Sequence, residues 1–375
     1  MIVYANPQRA ERDLEKSLRL NIHAFTFDGE EELHKIHRTY QKILSENNNN
    51  NDKARQPPPP PQMILRLLVP DTHSTVPLGE KFGAPPIPSR VETLTQLAME
   101  LQLPIIGVSF HCGSGCHDPE AYQQAIKLAK QAMDIIDKCQ TQGKKCKCWL
   151  LDIGGGFPGV DGWQGDEGRF SSGNSDSTTS SGNTTSDPTI ETAAKIAQAI
   201  NPLLDELFSP EIQIISEPGR YFVEAAFALC SRIYKVQTVD DDSNDDDGHN
   251  NKKHYTIAQG VQGVFKDVVL CGETFHPIPL QLIKQEEINT NNDSSNGNDN
   301  DATSTKTYPS TIHGPSGDED IICQADLPEL QVGDWLLWDR MGAYTLSISA
   351  RSGRPPIRYA MGGGGSDGDS QNERF

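Results

Sequence analysis

The chain lacks any apolar run of bilayer length, and its first residues, MIVYANPQRAERD, place no basic segment ahead of a long apolar core. Neither a spanning helix nor a secretory leader is read from it, so a soluble, cytoplasmic protein without a membrane role is expected. Positive charge is also scarce. With 33 Lys and Arg against 52 Asp and Glu, the formal charge of -19 speaks against nucleic acid as a partner, although much of the acidity sits in tracts such as VDDDSNDDDGHNN. Eight cysteines in 375 residues are too few for a disulfide scaffold. Cys112 with Cys116, and Cys146 with Cys148, lack zinc spacing, so buried or incidental thiols in a reducing compartment and no metal are expected. Nor does a glycine-rich dinucleotide fingerprint follow the first strand pattern.

What is present alternates short apolar runs with helical patterns. IVYANP, AFTFDG, MILRLLV, IIGVSFHC, the run from Trp149 to Phe157 and QIISEPGRYF read as strands, the first five followed by a helical pattern or an insert and helix. Asp118 is an N-cap candidate with Pro119 at the first helical position behind it. Six strand and helix units in a row imply a parallel sheet, doubly wound or closed as a barrel, and the missing fingerprint favours the barrel. After Phe222 the grammar changes to strands separated by turns. Residues 1–222 are therefore read as an α/β domain, 223–360 as a mainly antiparallel β domain and 361–375 as a flexible tail. Tracts near 47–60, 161–188, 238–253 and 285–306, rich in Asn, Ser, Asp, Thr or Pro, read as disordered insertions.

Chemistry concentrates in two stretches. In WLLDIGGGFPG a buried strand runs through Asp152 into Gly154, Gly155 and Gly156, which remove every Cβ that would keep an anion from the backbone N–H groups. About sixty residues on, QIISEPGRYF repeats the design with Glu217, Pro218, Gly219 and Arg220. In (β/α)8 barrels a phosphate is commonly held by loops after the last strands. Arg220 suits that role or a surface ion pair. His111, after an apolar strand, is structural in most settings but a site residue at the C-terminal end of a barrel strand.

IVYANP, FHCGSGC, LDIGGGFPG, EPGRYF, VGDWLLW and MGAYT, in this order, resemble the eukaryotic ornithine decarboxylase family over nearly the whole chain outside the inserts. The resemblance implies a pyridoxal-phosphate-binding (β/α)8 barrel followed by a β domain, acting on a small amino acid, ornithine, to give putrescine in polyamine biosynthesis. It implies that His111 stacks on the cofactor ring, that Ser114, Gly156, Gly219, Arg220 and Tyr344 hold the phosphate, that Glu217 pairs with the ring nitrogen and that Arg66 stands beside the cofactor. A carboxylate at that nitrogen keeps it protonated and the ring a better electron sink. The family forms homodimers with active sites shared between subunits, and an antizyme-like protein is an implied regulator.

Two departures stand out. The family's lysine that bonds the cofactor lies on the first barrel strand and another cofactor-contacting acid on the second. This chain begins at what matches the third strand, so the barrel is expected to lack its first two strands and the N-terminus to be incomplete. The family's GPTCD loop, whose cysteine donates a proton and whose aspartate binds the distal amine, is here HGPSGDEDII from His313. One alignment puts Gly317 at the cysteine and Asp318 at the amine partner; a gap one residue earlier deletes the cysteine position. The family's second amine-binding aspartate falls at Leu270 or Cys271, near Glu273, and Cys271 is a candidate substitute donor or a buried structural cysteine. The alternative to an enzyme is a catalytically silent binding protein of the antizyme-inhibitor type.

Overall fold

A computed structural model describes residues 1–49, 58–79, 81–141, 147–159, 188–240, 251–280, 306–349 and 355–356. The chain divides into two compact units, one of Met1–Leu229 with Trp338–Tyr344, the other of Cys230–Leu337 with Thr345–Phe375. The first unit therefore runs past residue 222 to Leu229, and the segment carrying MGAY returns to it. Met341 and Gly342 N–H donate to the carbonyls of Phe227 and Glu224 at 2.8 and 3.0 Å.

In the first unit, β1 (Val3–Tyr4), β2 (Ala24–Phe27), β3 (Gln62–Arg66), β5 (Ile105–Ser109), β7 (Leu150–Asp152) and β8 (Gln213–Ile215) form a six-stranded sheet in that order. Every pairing is parallel. A short antiparallel pair, β4 (Ser74–Val76) with β6 (Ser114–Cys116), stands beside it. Helices α1 (Glu11–Arg19), α2 (Glu30–Asn49), α3 (Pro88–Glu100), α4 (Pro119–Thr141) and α5 (Pro188–Leu207) connect successive strands, and α6 (Gly219–Val223) is a short helix after β8. Asp118 Oδ1 accepts the Glu120 N–H at 2.9 Å, the cap that the sequence announces for α4.

The apolar strands are explained by what covers them. Phe25, Phe27, Met63, Leu65, Ile105 and Val108 pack with the helices in one large cluster, while Ala24, Ile64, Ile106 and Leu150 point to the other face as a smaller one. Side chains alternate between faces along each strand, so both faces are apolar and the strands read as continuous hydrophobic runs. Burying Met63, Ile64 and Leu65, all fully inaccessible, contributes about 1.5 to 3 kcal/mol each. Because the strands are parallel, Asp28, Arg66, Phe110, Asp152 and Ser216 all follow or end strands at one edge of the sheet. That edge is where the loops gather.

The second unit is a six-stranded sheet of β11 (Pro277–Pro279), β14 (Trp335–Trp338), β9 (Leu229–Asp240), β10 (Asn251–Ile257), β12 (Thr307–His313) and β13 (Ile321–Pro328), in that order. It is mixed, since β10 and β12 run parallel while β9 with β10 and β12 with β13 are antiparallel. Two expectations are corrected. The tract 238–253 is strand at both ends, with Asn251, Lys252 and Lys253 paired to Asp240, Val239 and Thr238, because a β ladder satisfies backbone groups whatever the side-chain polarity. Within HYTIAQGVQGVFKDVVLC, part of the region after Phe222 read as strands separated by turns, DVVLC is the short helix α7 (Asp267–Cys271), closed by Gly272 at φ 71°. The tract 161–188 lies outside the described residues but for Pro188, the first residue of α5, as do most of 47–60 and 285–306 and the tail from 361.

Candidate cofactor site

The edge of the parallel sheet brings loops together at backbone distance. A Cβ at Gly154, whose φ is 62°, would lie 1.9 Å from the Phe110 carbonyl, and one at Gly156, φ 97°, 2.2 Å from the Gly113 carbonyl. Only glycine allows this approach. Gly155 sits between the loops after β5 and β8, since its added Cβ would meet the Glu217 carbonyl at 2.7 Å and His111 Nε2 at 2.9 Å. The Glu217 N–H donates to the Gly154 carbonyl at 2.7 Å. His111, the glycine run and Glu217 are thus tied into one wall.

On this wall stands a cluster of acids and bases. Asp152, buried at the end of β7, accepts the Gly154 N–H at 2.8 Å and stands near Glu217. Burial first, and then the neighbouring Glu217 charge, push the Asp152 carboxyl up to about 7. Glu217 itself is exposed on its free side. Arg66, at the end of β3, lies over the Phe82 ring at 5.0 Å. Its guanidinium is pulled down by burial and raised in part by Glu217, Asp28 and Asp152. His111 Nδ1 accepts the Gly113 N–H at 3.1 Å. Burial, aided by Arg66, lowers that imidazole to about 4, which leaves an uncharged ring at neutral pH.

A second group gathers round Arg220 on α6. Its Nε donates to Ser114 Oγ at 3.2 Å and its Nη1 to Glu224 Oε1 at 3.4 Å, while the guanidinium lies 5.1 Å from the Tyr344 ring centroid. The Arg220 side chain is only 11% exposed, yet Nη2 is buried with no hydrogen-bond partner. A buried guanidinium with a spare donor is costly unless an anion completes it. Next to it, Gly219 faces open space but for the Tyr344 hydroxyl, 3.5 Å from an added Cβ. Pro218 precedes it as the cap of α6. Tyr344 holds φ at 55°, a conformation that bulky residues rarely adopt and that clusters at functional sites.

Arg66, His111, Ser114, Gly154 to Gly156, Glu217, Pro218, Gly219, Arg220 and Tyr344 therefore all lie in the first unit. Asp318 and Gly317 belong to the second, on an exposed turn after β12. Asp320 ties that turn off: its carboxylate accepts N–H groups of Val261 at 2.8 Å and Ser316 at 3.0 Å. Sequence reading named Asp152 as an acid before the glycines but gave it no task; its place at the end of a wholly apolar strand was the available signal. Glu224, the other partner of Arg220, and Asp71, which accepts the Gly79 N–H at 2.7 Å, carried no signal of their own.

Residues 1–224 match the family model described as the pyridoxal-binding domain of pyridoxal-dependent decarboxylases. The chain belongs to that family. Its cofactor is pyridoxal phosphate, and the family's fold of α/β barrel and β domain accounts for the two sheets. Among curated relatives, the decarboxylase-family chain is 33% identical over 369 residues to antizyme inhibitor 2 of Xenopus laevis and 31% identical over 371 residues to ornithine decarboxylase of Cricetulus griseus. Each alignment covers 96% of this chain and 66% of the relative. Among solved structures, the arginine decarboxylase of Paramecium bursaria Chlorella virus bound to agmatine aligns with a TM-score of 0.66 at 26% identity, over 93% of this chain and 74% of that one. An SrLDC mutant in complex with PLP aligns with a TM-score of 0.63 at 25% identity, over 93% and 70%.

The residues present fit the cofactor. The unpartnered Arg220 Nη2, with Ser114 beside it, is a donor group of the kind a phosphate takes, and the glycine run leaves room for an anion to approach the backbone N–H groups. Glu217, beside Asp152, is an acid of the kind that suits a ring nitrogen. Among the described residues, several lysines of this unit are engaged elsewhere: Lys35 on the Arg9 carbonyl, Lys42 with Glu15 and Lys130 with Asp134. Every described cysteine is a free thiol, no group of three acids, histidines or cysteines among the described residues could hold a metal, and no described helix is long and apolar enough to cross a membrane.

Proposed function

We propose that the chain carries the site of an ornithine decarboxylase, releasing CO2 from ornithine and forming putrescine for polyamine synthesis. The observation that supports this most is the pairing, on one sheet edge, of a phosphate-ready Arg220 with an acid pair at Glu217 and Asp152. Bound pyridoxal phosphate supplies a sink for the electron pair freed when the carboxylate leaves. Arg220 and Ser114 would hold its phosphate and His111 would offer its ring an uncharged aromatic face. Glu217 would keep a proton on the ring nitrogen. Asp152, buried and raised to about 7, retains its own proton towards neutrality and so spares Glu217 a like charge beside it.

On the substrate side, Asp318 is the proposed partner of the distal amine. Sharing sites between two copies in a homodimer, regulation by an antizyme-like protein and a cytoplasmic setting complete the reading. A second reading has a specific observation behind it. On the alignment that puts Gly317 at the cysteine, that residue has φ 102° with open space around it, a conformation that disfavours any side chain, so a cysteine would sit poorly there. Cys271, the substitute donor, instead donates its Sγ–H to the Asp267 carbonyl at 3.2 Å. A silent protein of the antizyme-inhibitor type would have this form.

The deciding experiment follows CO2 and putrescine from ornithine, with arginine and lysine as competing substrates, and cofactor uptake in parallel. Release of CO2 from ornithine in preference to the others supports the enzyme. Cofactor uptake without CO2 from any of the three favours the silent binder.

A further inference from the structure

A pair of histidines in the second unit is left unused by the decarboxylase reading. The β10 and β12 registers, His254 with Thr311 and Thr256 with His313, place both histidines on the same face of neighbouring parallel strands. There His313 Nε2 lies 3.1 Å from His254 Nδ1, with ring centroids 4.9 Å apart and planes 22° from parallel. The two rings wall a cavity of about 660 Å³ that also reaches Lys252, Asp318, Gln324 and Asp326.

The Gly317 backbone stands near the His313 ring and favours its protonated form. With Nε2 turned to His254, a proton carried on Nδ1 leaves Nε2 a bare lone pair. A far nitrogen donating to a backbone carbonyl with a near nitrogen left bare is the arrangement that orients histidine ligands at metal sites. Two imidazole nitrogens bound at about 2.0–2.1 Å to one ion, at angles between square and tetrahedral, lie roughly 3 Å apart. The observed separation is that of such a pair.

We propose that His254 Nδ1 and His313 Nε2 form a two-nitrogen seat for a transition-metal dication of the zinc, copper or nickel class in the wall of this cavity. Among the described residues no set of three ligating side chains stands together, so solvent fills the remaining positions. Asp318 lends negative charge from the same cavity. Imidazole nitrogen suits these ions and not magnesium or calcium, which take oxygen.

The test uses the full chain, freed of metal with a chelator and titrated calorimetrically with zinc and then nickel, beside His254→Gln and His313→Asn. His254 is half-buried, so His254→Gln is expected to fold, which circular dichroism checks. The unaltered chain should bind one equivalent of zinc that either variant binds about tenfold or more weakly, the double variant losing that same equivalent and not two, while magnesium gives no heat at this site. If His254→Gln folds and binds zinc with unchanged stoichiometry and affinity, the proposal fails and the pair is a hydrogen bond tying β10 to β12.

Discussion

Replacing Arg220 by Ala isolates the phosphate contact, because three of its interactions are internal and one donor is left over. The Ser114 and Glu224 hydrogen bonds and the Tyr344 ring contact exist without cofactor, so their loss weakens the empty and the loaded protein alike. The buried, unpartnered Nη2 gains a partner only when the phosphate arrives. A charge-assisted hydrogen bond of this kind is worth about 1.5 to 3 kcal/mol, which converts to roughly 10- to 150-fold in affinity at about 1.4 kcal/mol per decade. The assay is a fluorescence titration with pyridoxal phosphate and, separately, with pyridoxal, which has no phosphate. Arg220→Ala should weaken the first by that factor and leave the second within about twofold. Arg220→Lys, which keeps charge but loses the fork, should fall between. Equal losses for both ligands, or no loss for either, would refute the assignment of Arg220 to the phosphate.

Other expectations follow from the same geometry. Gly156→Ala drives a Cβ into the Gly113 carbonyl at a φ of 97° and should cost more than about 3 kcal/mol, roughly 6–12 °C in Tm, with loss of cofactor binding. Gly317→Ala at φ 102° meets nothing and should cost about 1–2 kcal/mol with binding unchanged; thermal scans and cofactor titrations of both variants check the contrast. Asp152, raised from 3.8 to about 7, contributes stability that is full below about pH 4 and is lost as pH rises towards 7. Asp152→Asn should therefore gain on the unaltered chain between pH 5 and pH 8 in urea unfolding. His111, lowered from 6.5 to about 4, contributes the opposite slope, full above about pH 6.5 and lost as pH falls towards 4, so His111→Phe should flatten the acid limb of the same curve.

The parallel sheet was legible because strands covered on both faces leave continuous apolar runs, as Met63 to Leu65 and Ile105 to Val108 do. The site loops were legible for a related reason: Gly154 and Gly156 occupy φ values and contacts that only glycine tolerates, so backbone geometry is written in the residue type. Asp152 was passed over as a functional partner because its meaning depends on Glu217, sixty-odd residues away, whose charge acts on it. The helix at DVVLC, inside the region after Phe222 read as strands and turns, was not legible since five residues do not separate the helical from the extended period. The strands at Thr238 and Asn251 were hidden by polar side chains on a ladder whose hydrogen bonds are made by backbone. His254 and His313 left no pattern at all, being 59 residues apart and joined only by strand pairing.

The central claim, that the sheet edge of the first unit is a phosphate-and-ring cradle, is tested most directly by titrating the full chain with pyridoxal phosphate while following its phosphorus resonance and the protein's fluorescence. Saturation at one equivalent per chain is expected, with the phosphate held as its dianion and with the signal lost in the Arg220→Ala, Ser114→Ala double variant. Linear, unsaturable changes, or saturation that the double variant reproduces, would contradict it.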